Sequence, residues 1–274
     1  MIRIFLLLII CFNYFCLSAY GADFSAVVKT EQREQYLIDK DSVDILLERA
    51  EKFYQEGKLL KARDIYHDIL ESSQPGSFPR DEIQKKLEEL NMNIIFSRLE
   101  TKDSKFYTVK QGDSLHKIAK KFGTTVELIK KSNGLSTSKI YPGDKLKIIR
   151  SPFSVRIDKS DNTLQLRLGN RIIKNYSVAT GADNITPVGE FTIKNKLIKP
   201  TWFHAGAVVS SDSPENILGT RWMGFDLRGY GIHGTTLPKT IGSQSTAGCI
   251  RMFNHDVEEL YSLIPVGTKV VVVD

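Results

Sequence analysis

From residue 42 to about residue 99, apolar residues recur every three or four positions. Leu46, Leu47, Ala50, Phe53 and Tyr54 form one stripe that Gly57 interrupts, and Leu60, Ala62, Ile65, Tyr66, Ile69 and Leu70 form a second. This spacing lines apolar side chains along one face of a helix, the face it buries. Gln74-Pro75-Gly76 should end the second helix, and Pro79-Arg80-Asp81 should open a third that runs through Leu90. After Phe106 the elements shorten. Tyr107-Thr108-Val109 reads as a strand, Gln111-Gly112-Asp113 as a turn, and Leu115, Ile118, Ala119 and Phe122 as a helix stopping at Gly123. Thr124-x-x-Glu127 has the form of a capping box opening a second short helix, which Asn133-Gly134 ends. Pro142-Gly143 then turns the chain into a returning strand over residues 145–149. Beyond residue 153 the period changes to two. Leu164, Leu166 and Leu168 alternate with Gln165 and Arg167, and Gly169-Asn170 is a two-residue hairpin turn into Arg171-Ile172-Ile173. Residues 176–179, 190–194, 231–233 and 270–273 are further strand-like pieces, and the clearest helix lies between Asn254 or His255 and Leu263.

The pattern therefore predicts a multidomain α+β chain. An N-terminal helical segment (residues 22–104) precedes a small βααβ domain (105–150) and a mainly-β domain (151–274). Residues 1–21 carry Arg3, an apolar run over 4–17 and small residues around Gly21, which together read as a signal peptide cleaved after Gly21. The expected location is outside the cytoplasm, in a periplasm or cell wall. Of the three cysteines, Cys11 and Cys16 leave with such a signal. Cys249 then stays unpaired, and a disulfide framework is excluded within one chain. The formal charge of +6 favours anionic partners, and outside the cytoplasm these are wall polymers and membrane surfaces rather than nucleic acid.

Candidate chemistry concentrates in GYGIHGTT (229–236) and STAGCIRM (245–252). A nucleophilic cysteine needs a base, donors aimed at the oxyanion, and open access. His233 can supply the base, the Gly248 and Cys249 amides the donors, and the small residues Ala247 and Gly248 the room. Read by themselves, these residues equally allow an inert buried thiol. One Cys with His233 and His255 has no tight ligand pair for zinc, so no metal or other cofactor is called for.

Three resemblances sharpen this picture. The spacing of Leu46, Ala50, Phe53, Gly57, Ala62, Tyr66 and Pro75 resembles a single tetratricopeptide repeat, too little to bury its own core. It implies either a site for a protein partner or a packing spacer. YTVKQGDSLHKIAKKFGTTVELIKKSNGL with YPGDKLKI is similar to a lysin motif (LysM) domain. That family commonly binds N-acetylglucosamine-containing glycans, which implies a groove formed by Gly112, Asp113, Ser114 and Leu115 with Asn133, Gly134 and Leu135. The third resemblance rests on His233-Gly234, a gap of sixteen positions to Cys249, and the register of Thr246, Gly248 and Arg251, preceded by TGADNITPVGEFTI (180–193). Over residues 153–274 this resembles an L,D-transpeptidase catalytic domain.

The last resemblance implies Cys249 as nucleophile, His233 as proton acceptor and donor, and the Gly234 carbonyl as the group orienting the imidazole. Gly248, Thr246, Arg251, Ala247 and Tyr230 would form the oxyanion and substrate side, with Arg251 bracing the loop, meeting a substrate carboxylate or sitting in an ion pair. Many family members have His where this chain has Ala247. The implied partners are the peptide stems and glycan strands of peptidoglycan, joined through a cysteinyl acyl-enzyme, with the LysM domain as tether. The same residues would serve an L,D-carboxypeptidase or cross-link hydrolase, and a non-catalytic wall-binding scaffold is the alternative of a different class.

Overall fold

A computed structural model describes residues 40–72, 78–204 and 206–274. The signal-like segment and the Gln74-Pro75-Gly76 breaker lie outside these residues. The chain divides into two compact units between Leu87 and Glu88.

In the first unit, α1 (Lys40–Gln55) and α2 (Leu59–Ser72) follow the two predicted stripes. Gly57 adopts φ +71°, which lets the chain reverse between them. Val43, Ala50, Ala62, Tyr66 and Ile69 are buried. α3 (Arg80–Phe96) starts where predicted but continues past Leu90. Met92, Ile94 and Ile95, near its end, are buried, so packing carries the helix beyond the expected stop.

The second unit contains the βααβ module and the mainly-β domain. β1 (Ser104–Thr108) pairs antiparallel with β2 (Lys145–Ile149), and α4 (Leu115–Phe122) and α5 (Val126–Asn133) lie between them in sequence. Leu115, Ile118, Ile129, Leu146 and Ile148 form the module's small core. The caps are local. Ser114 Oγ accepts from Lys117 N–H, and Gly123 and Gly134 end the two helices in the left-handed conformation. The cap of α5 is Thr125, one residue after the predicted box: its Oγ1 accepts from Leu128 N–H at 2.9 Å.

The C-terminal domain is built on an eight-stranded mixed sheet. Its strands are β3 (Phe153–Asp158), β4 (Thr163–Leu168), β5 (Arg171–Ser177), β7 (Gly189–Ile198), β10 (Arg221–Phe225), β11 (Gly231–His233), β13 (Ile250–Arg251) and β14 (Lys269–Val273). In space they run β13-β11-β10-β7-β14-β3-β4-β5. Two small pairings complete it, β6 (Thr180–Gly181) with β12 (Gln244–Thr246), and β8 (Trp202–His204) with β9 (Ala207–Val209). The hairpin at Gly169 forms as predicted, with φ +58° at the glycine. α6 (Asn254–Leu263) supplies Val257, Leu260 and Leu263 to the core.

The two domains share that core. Leu128 of α5 packs in the same apolar cluster as the sheet and α6. Thr125 Oγ1 donates to Ser262 O, and Lys131 Nζ donates to Ser262 Oγ at 2.9 Å. One threonine hydroxyl thus caps the start of α5 and satisfies a carbonyl at the end of α6. Lys147 of β2 is buried, and its Nζ donates to Ile94 O (2.7 Å) and Ser97 O (2.8 Å) at the end of α3. The LysM-like module is docked against the catalytic-like domain.

Candidate active site

Strand register decides which side chains meet. Met223 of β10 pairs with Ile232 of β11, which pairs with Ile250 of β13. All three are fully buried on the core face with α6. The next row, Trp222, His233 and Arg251, follows the same pairing and points to the other face. Cys249 immediately precedes β13, and its Sγ reaches the backbone just before β11, at Gly229 O. Sixteen positions of separation in sequence become adjacent strands.

His233 is 3% exposed, and its Nδ1 sits 2.7 Å from Gly234 O. A carbonyl only accepts, so Nδ1 carries the proton and Nε2 is left as an acceptor. Burial pushes the imidazole pKa down to about 4, and Arg251 adds to the fall against the opposing Gly234 bond. The ring is neutral at pH 7. Trp222 stacks on it with centroids 6.0 Å apart and planes 19° from parallel.

Cys249 is half-buried, and its Sγ–H donates to Gly229 O at 3.3 Å. Burial raises the thiol above its ordinary range, while the Gly231 backbone and the Arg251 cation act in the opposite direction. The resting pair is therefore neutral thiol and neutral imidazole.

The loop holding the thiol is fixed by two threonines. Thr246 Oγ1 accepts from Gly248 N–H (3.1 Å) and donates to Cys249 O (2.6 Å). Thr186 Oγ1 accepts from Gly181 N–H (2.8 Å) and donates to Gly248 O (2.9 Å). Gly248 has φ +111°, and a Cβ there would lie 2.7 Å from Tyr230 Cε1. Tyr230 therefore packs where a side chain at 248 would be, and only glycine fits. The donor pair expected at the oxyanion narrows, because the Gly248 N–H is already occupied by Thr246. Ala247 is exposed beside the loop.

Arg251 is 5% exposed, with Nη1 donating to Thr240 Oγ1 at 2.8 Å and Nε buried without a partner. Among the described residues it pairs with no carboxylate, so the ion-pair alternative is not what the structure contains. Asn254 is a brace that sequence reasoning missed. Its Oδ1 accepts from Thr220 N–H (3.2 Å) and Thr235 N–H (3.0 Å), and its Nδ2 donates to Thr235 O (2.8 Å). A Cβ on Gly234 would meet that Oδ1 at 2.2 Å. Trp222 and Asn254 had no motif to announce them, because each reaches His233-Gly234-Thr235 only through tertiary contact.

The residues expected to bind glycan separate into two kinds. Gly112, Ser114 and Gly134 are exposed and Leu135 is half-buried, and the second loop lines a cavity of about 410 Å³ with Glu127, Lys130, Lys131 and Ser136. Leu115 is 2% exposed and belongs to the core. Asn133 is buried too. Its Nδ2 donates to Ile129 O (2.8 Å) and Lys147 O (2.9 Å), and its Oδ1 accepts from Lys147 N–H (2.7 Å). That buried amide holds α5 to β2, with both of its N–H donors committed. Asp113 closes its own turn by accepting from Tyr107 OH and Lys110 N–H, each at 2.8 Å.

The site thus joins a cysteine at the start of β13 to a neutral, carbonyl-oriented histidine at the end of β11, in a mixed sheet with a docked βααβ module. The family whose description is L,D-transpeptidase catalytic domain, YkuD, matches residues 152–272, and the LysM domain family matches residues 107–148. A Bacillus subtilis protein, YqjB, named as an L,D-transpeptidase, is 39% identical over 143 residues, covering 50% of this chain and 80% of that one. The B. subtilis protein YkuD, named likewise, is 34% identical over 173 residues, 61% of this chain and 97% of that one. The chain belongs to the L,D-transpeptidase family. A solved L,D-transpeptidase from Mycobacterium tuberculosis is similar with a TM-score of 0.40 at 14% identity, over 50% of this chain and 75% of that chain.

Proposed function

We propose that this protein is an exported peptidoglycan L,D-transpeptidase that forms direct cross-links between diamino acids of neighbouring peptide stems through an acyl-enzyme on Cys249. What supports this reading is the pairing of β11, which ends in His233, with β13, which Cys249 immediately precedes, together with the Gly234 carbonyl at His233 Nδ1.

The chemistry follows from those protonation states. The Cys249 proton leaves the Gly229 carbonyl and passes to His233 Nε2 as sulfur attacks the carbonyl carbon at the L-centre of a donor stem. The tetrahedral oxyanion forms beside the Cys249 amide, the remaining member of the donor pair. Collapse breaks the C–N bond, and the departing D-alanine amine takes the proton from the imidazolium. An amine of a second stem then attacks the thioester and gives its proton to Nε2. The thiolate leaves and is reprotonated. The bond broken supplies the energy for the bond formed.

Burial favours a neutral imidazole before and after each transfer, so the ion pair exists only along the reaction path. Arg251 favours the thiolate that forms transiently. The LysM domain would hold the enzyme on glycan, raising the local concentration of stems. The tetratricopeptide-like pair α1–α2 is best read as a spacer that packs rather than as a complete partner-binding array.

Disaccharide-tetrapeptides incubated with the protein and analysed by mass spectrometry test this reading. A cross-linked dimer lacking one terminal D-alanine is the expected product. Trimmed monomer alone would make it a carboxypeptidase, and no change would leave a scaffold. Cys249→Ala should abolish either product while circular dichroism stays native, and product formation by that variant would overturn the cysteine assignment.

A further inference from the structure

Charge is distributed unevenly along this chain. Residues 105–150 hold eleven Lys and Arg against three Asp and Glu, a formal balance of +8, whereas the whole chain carries +6. A domain that reads a neutral sugar has no need of such an excess. Nine of the eleven are exposed, namely Lys105, Lys110, Lys117, Lys120, Lys121, Lys131, Lys139, Lys145 and Arg150, and Lys130 is half-exposed. Among the described residues none of the eleven pairs with a carboxylate, although ion pairs form elsewhere in both units. Two of the module's three acids are occupied in turns: Asp113 accepts from Lys110 N–H and Asp144 from Tyr141 N–H, each at 2.8 Å.

The placement of these cations is informative. Lys110 and Lys117 bracket the first exposed loop, and Lys117 Nζ donates to Gly112 O at 2.8 Å within it. At the second loop, Lys130 and Lys131 wall the same 410 Å³ cavity as Gly134, Leu135 and Ser136, and Lys139 lies a few residues beyond. A polymer resting on the two loops would have ammonium groups on both sides. Nine of the ten accessible cations are lysines, which are mobile point charges suited to anions of variable position rather than to one fixed fork. Cations also stand on both strands and both helices, a distribution a flexible strand can follow and a flat bilayer cannot.

We infer that the LysM domain of this protein recognises glycan strands still carrying their peptide stems, the lysines around the two loops engaging the stem carboxylates. This rests on the peptidoglycan reading above and deepens it. Stems recur along a strand and carry a net negative charge, so the sugar backbone and the flanking carboxylates are read together. Selecting stem-rich polymer would hold the enzyme where donors and acceptors are dense. Such recognition must weaken with salt, because exposed charges are screened over about 10 Å at 0.1 M and over about 3 Å at 1 M.

The test uses the full chain and two soluble preparations of the same glycan strands, one with stems and one freed of them by an amidase, measured by fluorescence anisotropy. At about 0.05 M salt we expect stem-bearing strands to bind at least ~10-fold more tightly, and the ratio to fall towards ~1 at about 0.5 M. The double variant Lys110→Gln, Lys139→Gln, both outside the cavity lining, should lower the low-salt ratio at least ~3-fold while still binding stem-free strands. If that variant does not fold, the salt series on the unaltered chain decides. A ratio near one at low salt, a ratio insensitive to salt, or equal retention on phosphatidylglycerol vesicles would each sink the proposal. Failure to bind stem-free strands, with the salt-sensitive ratio intact, would count instead against the sugar-binding part of the proposed function.

Discussion

At the scale of single residues, His233 links folding to mechanism. Its imidazole has a folded pKa of about 4 because burial opposes the charge, whereas an unfolded histidine titrates near ~6.5. Above the unfolded value both states are neutral and stability does not depend on this group. As pH falls from about 6.5 towards 4, only the unfolded chain takes up the proton, so stability is lost, by at most about 3 kcal/mol once the folded pKa is passed. Urea unfolding between pH 7 and 5 should show that slope, and His233→Gln should flatten it. An unchanged slope would mean that the ring is not buried neutral. The pair His233 and Cys249 could be read from its motif, and so could Thr246 and Gly248. The motif did not assign the Gly248 amide to Thr246, nor did it reveal Trp222, because both depend on where a neighbouring backbone or strand lies.

At the scale of elements, the LysM order of strand, helix, helix and strand followed directly from apolar spacing and glycine caps. What spacing could not separate was Asn133 as a sugar ligand from Asn133 as a brace. Its amide makes three buried bonds to Ile129 and Lys147, and cutting them strands backbone groups of α5 and β2. Asn133→Ala should cost about 2–3 kcal/mol in chemical denaturation. Glycan affinity of the folded variant should stay within about threefold of the unaltered chain, and a selective loss of binding with normal stability would restore the ligand role. Short strands were the least legible elements. β8, β9, β10, β12 and β13 are two to five residues long, and a period of two cannot declare itself over so few positions.

At the scale of the molecule, the LysM domain is a built part of the catalytic body and not a loose tether. Leu128 is 1% exposed within the core cluster of the transpeptidase sheet, and Ser262 of α6 takes bonds from both Thr125 and Lys131. Residues 88–274 should therefore unfold in one cooperative transition. Leu128→Ala should destabilise the whole of that unit by about 2–4 kcal/mol through a cavity at the junction. Calorimetry that resolved two independent transitions in this region would contradict the shared core.

Local information was enough for the sequence to set the helical stripes, the turn glycines, the βααβ order and the half-buried hairpin of β4 and β5. Each is a matter of periodicity or backbone freedom among residues close in sequence. Only the tertiary structure decided which face of the sheet receives Trp222, His233 and Arg251, and that among the described residues Arg251 meets no carboxylate. It also decided that Asn254 clamps the strand after His233 and that the LysM helix closes the catalytic core. Those outcomes depend on strand register and on burial against segments remote in sequence. A one-position change in pairing would turn the row of Trp222, His233 and Arg251 into the core, and nothing in the local pattern around Cys249 records which register the neighbouring strand adopts.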